Sequence, residues 1–168
     1  CNAVTSPPAE SPYPQSAVIE KVNFDWVSRI QLAPGSDNWA ITWADDNHQY
    51  ASWGDGGGFG GTNSKSRVSL GVARIEGDAA AYRGFNVWGG EQPEQASQFG
   101  GKSYGIISIE NMMYKWVSPG SNEEAYQESR LYFSSDHAAS WAPADWAFDR
   151  SYDLVNPTFC QFGKAYQG

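Results

Sequence analysis

The chain has 168 residues, 19 Asp+Glu against 11 Lys+Arg and a formal net charge of −8. Its 8 Trp, 9 Tyr, 8 Phe, 18 Gly and 9 Pro, with only 18% charged residues, exclude a coiled coil, a helical bundle and a disordered chain. An acidic balance without a basic run argues against a nucleic-acid partner, which needs clustered Lys and Arg. No apolar stretch reaches the roughly 18–20 residues of a membrane span.

Residues 1–18 read as a flexible leader carrying Pro7, Pro8, Pro12, Pro14 and several Ser. Cys1 followed by this tether resembles a bacterial lipoprotein after removal of its signal peptide. That resemblance implies an exported protein, extracellular, periplasmic or lipid-anchored at the cell surface through Cys1. A Cys1–Cys160 disulfide and an arbitrary start are the alternatives. Two cysteines are too few for a disulfide framework or a zinc site.

Residues 19–168 are expected to form the folded part, and its pattern is all-β: short β-prone runs separated by turn residues. The first hairpin runs Asn38–Ala44, a turn at Asp45-Asp46-Asn47-His48, and Gln49–Asp55. Trp39, Ile41 and Trp43 alternate with Ala40, Thr42 and Ala44, as a half-buried strand requires. A glycine-rich loop follows, then a strand over Arg67–Ile75. Between residues 76 and 98 only Asp78–Tyr82 has the look of a helical turn. A second unit repeats the plan: Tyr104–Ile109, a turn at Glu110-Asn111, Met112–Val117, a loop, and Ser129–Ser134. Tyr50 and Tyr114 fall at corresponding places, 64 residues apart.

Such a repeat of small antiparallel sheets points to a β-propeller. Ser134-Ser-Asp136-His-Ala138-Ala-Ser140-Trp141 supports it, because it resembles the Asp-box S-x-D-x-G-x-T-W found between outer blade strands of sialidase-type propellers. Ala138 stands for the usual Gly and Ser140 for the usual Thr. In such a box the Asp accepts N–H groups of its own turn while the Trp packs between blades, so Asp136 is read as structural. A blade takes about 40–50 residues and closure needs at least four. The chain is therefore expected to hold two blades and the opening strand of a third, at Pro157–Phe162, as the N-terminal part of a larger propeller.

Two acidic residues stand out as a catalytic pair. A hairpin turn centred near residue 46 sets Ile41 opposite Ala51, Trp39 opposite Trp53 and Asp37 opposite Asp55. Facing residues lie about 4.5–5.5 Å apart at Cβ, so two carboxylates are expected side by side with a Trp pair beneath. Glycoside hydrolysis needs such a pair, one acid protonated and one ionised, and proximity itself separates their proton affinities. The alternative is two turn-forming Asp residues.

Trp39, Trp53, Phe59, Trp88 and Lys102 are the candidate substrate-binding residues, the aromatics as stacking platforms for a sugar ring. Trp116 is a further platform, and Arg67 and Arg130 are candidates for hydroxyl contacts. Phe59 lies in Gly54-Asp-Gly-Gly-Gly-Phe-Gly-Gly61, which lacks the Lys and following helix of a phosphate loop. His48 sits in a turn and His137 inside the box, neither with an expected partner. No metal, other cofactor or Ser/His/Asp triad is therefore read from the sequence.

Pro34-Gly-Ser-Asp-Asn-Trp39, Thr42-Trp-Ala-Asp-Asp46, Tyr50 and Trp53-Gly-Asp-Gly-Gly-Gly-Phe59 together resemble the opening blade of a bacterial family of five-bladed propellers, of endo-D-arabinanase type, long known only as a domain of unknown function. Ser69–Gly77, Gly101–Gly105 and Phe162–Tyr166 are similar to its later segments, so the likeness spans about residues 24–168. It implies a glycoside hydrolase acting on an arabinan-like furanoside polysaccharide, with the family's acidic pair falling on Asp37 and Asp55. The rival readings are a non-catalytic glycan-binding or cell-surface propeller and a sialidase-like enzyme.

Overall fold

The computed structural model describes residues 14, 16–120, 126–152, 154 and 156–167. Cys1 and most of the expected leader lie outside these residues, and with them the lipid anchor and the disulfide. The chain divides into two units, Cys1–Ile30 and Gln31–Gly168. In the first, the described residues 16–30 hold no strand. A turn around Asp25, which accepts the Val27 N–H at 3.1 Å, sets Phe24 and Trp26 in a ring stack.

The second unit is all-β, two four-stranded antiparallel sheets with strands in chain order. The first sheet is β1 (Asp37–Trp43), β2 (Gln49–Gly56), β3 (Val68–Glu76) and β4 (Arg83–Trp88); the second is β5 (Gly101–Ile109), β6 (Met112–Pro119), β7 (Glu128–Ser134) and β8 (Ala142–Asp149). Among the described residues no helix is long and apolar enough to cross a membrane. The expected turns form where the sequence placed them. Asn47 (φ 69°) and Glu110 (φ 52°) take the positive φ that tight hairpin connections demand.

Each sheet has a fourth strand that the sequence reading missed. β4 contains Gly84 and Asn86, and β8 is rich in Ala and Asp and contains Pro143, a residue tolerated only at a sheet edge. Both are edge strands, where tertiary pairing overrides weak propensity. Conversely, Pro157–Phe162 forms no strand. It runs beside β5 and meets the edge carbonyls with side chains: Thr158 Oγ1 donates to the Tyr104 carbonyl (3.0 Å) and Gln161 Nε2 to that of Ile106. Asp78–Tyr82 is a turn capped by the Asp78 carboxylate, not helix.

The first hairpins of the two sheets match residue for residue. Asp37 pairs with Gly54 and Ala40 with Ser52, so three residues on β1 oppose two on β2. Lys102 pairs with Ser118 and Gly105 with Trp116, the same irregularity 65 residues on in the first strand and 64 on in the second. The core between the sheets takes Tyr50, Leu70, Val72 and Trp88 from the first sheet and Ile106, Met113, Val117 and Tyr132 from the second. Tyr50 corresponds to Tyr114, whereas the second sheet contributes Met113 and Val117. Because side chains alternate between faces, the sheets stack by opposite faces, front to back. The second sheet's other face carries an aromatic cluster in which Trp116 meets Trp146, Phe148 and Phe159 at 5.5–6.0 Å between centroids.

The turn between β7 and β8 has the structure expected of the box. The Asp136 carboxylate accepts the Ser134 hydroxyl (2.7 Å), the Ser140 N–H (2.9 Å) and the Ser140 hydroxyl (2.5 Å). Trp141 donates its indole N–H to the Ala138 carbonyl at 3.1 Å and lies in the inter-sheet core. Burial alone would raise the Asp136 pKa; the bonds from Ser140 and Ser134 hold it below the ordinary value.

Candidate functional site

β1 and β2 bring Asp37 and Asp55 to the same rim of the first sheet, but they are not opposed residues. The extra residue in β1 shifts the register, so Asp37 faces Gly54, the neighbour of Asp55. Asp55 itself lies in the left-handed region, φ 50°, between two glycines. Gly56 is required there, because a Cβ would collide with Gly35 and Ser36 where the chain crosses itself. Trp39 and Trp53 pack beneath as expected, ring centroids 5.9 Å apart.

The two carboxylates have different surroundings. Lys102, from the second sheet, places its ammonium on Asp55 Oδ2. Arg67, just ahead of β3, approaches Asp55 Oδ1 at 3.4 Å and donates to the Asp55 backbone carbonyl at 2.5 Å. Asp37 is exposed, and among the described residues no hydrogen bond or ion pair reaches its carboxylate. Expectation placed two bare acids side by side; in the structure two cations lie on Asp55.

Tyr104, two residues beyond Lys102 on β5, completes the cluster. Its hydroxyl shares a 2.8 Å hydrogen bond with Tyr126, whose backbone N–H donates to Ser118 Oγ at 2.6 Å. Burial, the bond to Tyr126 and the negative charges of Asp37 and Asp55 push the Tyr104 pKa up to about 12. Tyr104 therefore stays protonated, its hydroxyl shared with that of Tyr126. Neither tyrosine is singled out by sequence pattern, since the link from Tyr104 to Asp37 and Asp55 exists only after the sheets stack.

The expected substrate-binding residues divide. Trp39 and Phe59 are half-buried, with centroids 5.6 Å apart, and keep a surface beside the site. Trp53 and Trp88 are wholly buried and present no face to a sugar: Trp53 lies over Gly71, Trp88 in the inter-sheet core. Lys102 is buried and spent on Asp55, and Arg67 is likewise engaged. Arg130 binds Glu128 and the Ala144 carbonyl (3.0 Å), away from the pair. The glycine-rich loop after Asp55 is held by Asn86, which accepts the Phe59 N–H at 3.0 Å and donates to the Glu91 carbonyl at 2.7 Å.

His137 does have a partner, contrary to expectation. Its Nε2 lies 3.0 Å from Asp45 Oδ1 and 3.9 Å from Asp46 Oδ2. Among the described residues these three form the group whose ligand atoms, all within 4.8 Å of one another, could hold a cation. Asp46 already accepts the His48 N–H and the Tyr50 hydroxyl, and Asp45 binds His137, so the arrangement works as a clasp between two turns. Also unforeseen is Lys115 in β6, fully buried and with no hydrogen-bond partner among the described residues. Its ammonium lies over the rings of Trp141 (4.1 Å), Trp88 (4.3 Å) and Phe99 (5.2 Å), and burial pushes its pKa well down.

No protein-family model matches the chain, and a search of the curated proteins finds no match.

Proposed function

We propose that the two sheets are adjacent blades of a five-bladed β-propeller, and that the protein is an exported glycoside hydrolase acting on an arabinan-like furanoside polysaccharide. The front-to-back stacking supports the propeller, because a relation that uses opposite faces continues around a ring instead of closing on itself as a two-sheet sandwich does. The box turn between third and fourth strands supports it too.

The observation that carries the hydrolase reading is the placing of Asp37 and Asp55 at one rim with unlike partners. Hydrolysis of a glycosidic bond needs one carboxyl to give a proton to the leaving oxygen and one carboxylate to act as base or nucleophile. Asp55, flanked by two cations, suits the anionic role, which leaves Asp37 as the other member of the pair. Trp39 and Phe59 supply apolar surface for a sugar ring.

The pairing of Asp55 with Lys102 also favours a second reading, a glycan-binding propeller in which the charged groups bind only hydroxyls. Reducing-sugar release and binding are measured for the wild-type protein, Asp37→Asn and Asp55→Asn on furanoside polymers. The hydrolase reading expects each substitution to cut release by about 10²-fold or more with binding retained. Binding without release by the wild type leaves the second reading in its place.

A further inference from the structure

We propose that Lys102 is a positioning residue of the Asp37–Asp55 site: it reaches across from the second sheet to fix Asp55 as the anionic member of the pair. This rests on reading the two aspartates as the working pair. The hairpin register gives Lys102 a particular significance. Asp37 pairs with Gly54 immediately before the irregularity in the β1–β2 hairpin. Lys102 pairs with Ser118 immediately before the same irregularity in the β5–β6 hairpin. One structural position thus carries the free carboxylate in the first sheet and, in the second, the cation that binds its companion.

The surroundings of Lys102 leave it little else to do. The residue is only 6% exposed, and Asp55 is its ion-pair and hydrogen-bond partner among the described residues. Gly101 before it takes φ 149°, and a Cβ there would press on the Ser118 carbonyl, so the strand enters this position only with glycine. Arg67 is a weaker holder. Its side chain is 42% exposed, its Asp55 contact is 3.4 Å, and it also donates to the Asn63 carbonyl and side chain. The cations on Asp55 are Lys102 from β5 and Arg67 ahead of β3; Asp37 begins β1 opposite Gly54, and Tyr104 on β5, bonded to Tyr126, feels the Asp55 charge. Of these, only Lys102 is both cationic and buried.

The experiment has one arm independent of activity. The ¹⁵Nζ resonance of Lys102 in the wild-type protein at neutral pH reads the ion pair directly. An ammonium held on Asp55 gives a slowly exchanging signal that Asp55→Asn abolishes and Asp37→Asn leaves in place. A signal that answers equally to both substitutions, or to neither, overturns the proposal. In the second arm, Lys102→Met, which keeps the stem and removes the charge, is compared with Lys102→Arg. Lys102→Met is expected to lower kcat at least about tenfold with KM within about twofold. Lys102→Arg should restore kcat. An active wild type whose Lys102→Met variant keeps its kcat also overturns the proposal. A Lys102 signal tied to Asp55 in a protein that releases no sugar supports the positioning role while the hydrolase reading falls. Should Lys102→Met not fold, the first arm and Lys102→Gln decide.

Discussion

His137, in the turn between β7 and β8, places Nε2 3.0 Å from Oδ1 of Asp45, in the turn between β1 and β2. The imidazole also stacks on Tyr50, ring centroids 6.0 Å apart. The His137 hydrogen bond holds the Asp45 carboxyl below its ordinary pKa of 3.8. A carboxyl depressed in the folded state contributes stability above its unfolded pKa, and that stability is lost as pH falls through the folded value. Wild type should therefore lose more stability than Asp45→Asn on acidification below about pH 4. Both side chains are 41% exposed, so the pair is worth at most about 1 kcal/mol and weakens with salt. A double-mutant cycle of Asp45→Asn and His137→Ala by urea unfolding checks the coupling.

Lys115 sets a conflict that magnitudes decide. Three rings around an ammonium contribute about 0.5–2 kcal/mol each, whereas removing an unpaired ammonium from water costs several kcal/mol. Lys115→Met, filling the same space, is expected to stabilise the protein by about 1–3 kcal/mol. Lys115→Ala should destabilise it by about 2–4 kcal/mol through the cavity left behind. A lysine with a lowered folded pKa binds fewer protons folded than unfolded below its ordinary 10.5. Wild-type stability should thus rise with pH up to that value. Urea midpoints at about pH 7 and pH 9.5 should show a rise in wild type that Lys115→Met lacks.

Asp136 is predicted to matter for stability and not for the site. It accepts three short bonds within its own turn, each to a charged acceptor and worth about 1.5–3 kcal/mol singly, with non-additive losses. Asp136→Ala should cost about 2–4 kcal/mol and Asp136→Asn less. Calorimetry measures the loss, and the Lys102–Asp55 ion pair should be unchanged in any variant that remains folded.

Gly84 makes room for an aromatic ring. A Cβ at this position would overlap the Phe59 side chain, so Gly84→Ala must displace the tip of the glycine-rich loop. The expected cost is about 1–3 kcal/mol. Phe59→Ala loses packing of its own, but in that background Gly84→Ala should cost much less. Strict additivity of the two, measured by urea unfolding, would contradict the packing described.

How far the structure was legible in the sequence depends on whether the signal was local. The first hairpin, both tight turns and the box were readable because alternation at Trp39, Ile41 and Trp43, and turn chemistry at Asp45–His48 and Ser134–Trp141, lie within a few residues of one another. The Asp37–Asp55 neighbourhood was legible to within one residue. The shift to Gly54 comes from an extra residue in β1 that no alternation pattern reveals. β4 and β8 escaped because their strand state comes from the neighbour they pair with. Lys102 was identified as a site residue but assigned to substrate, and the carboxylate it binds lies 47 positions away. The buried faces of Trp53 and Trp88 and the partner of His137 likewise depend on contacts across long stretches of chain.

The charge inversion at the position shared by Asp37 and Lys102 bears on how such a site arises. Had the two hairpins stayed identical, position 102 would hold a second aspartate pointing at Asp55, and the stacked sheets would gather three carboxylates in mutual repulsion. A lysine at this position gives an attraction in place of that repulsion. Neither hairpin contains the ion pair by itself, because the anion and its holder belong to different hairpins. It is the difference between the two matching hairpins, Asp37 in one and Lys102 in the other, that lets the second sheet hold a carboxylate of the first.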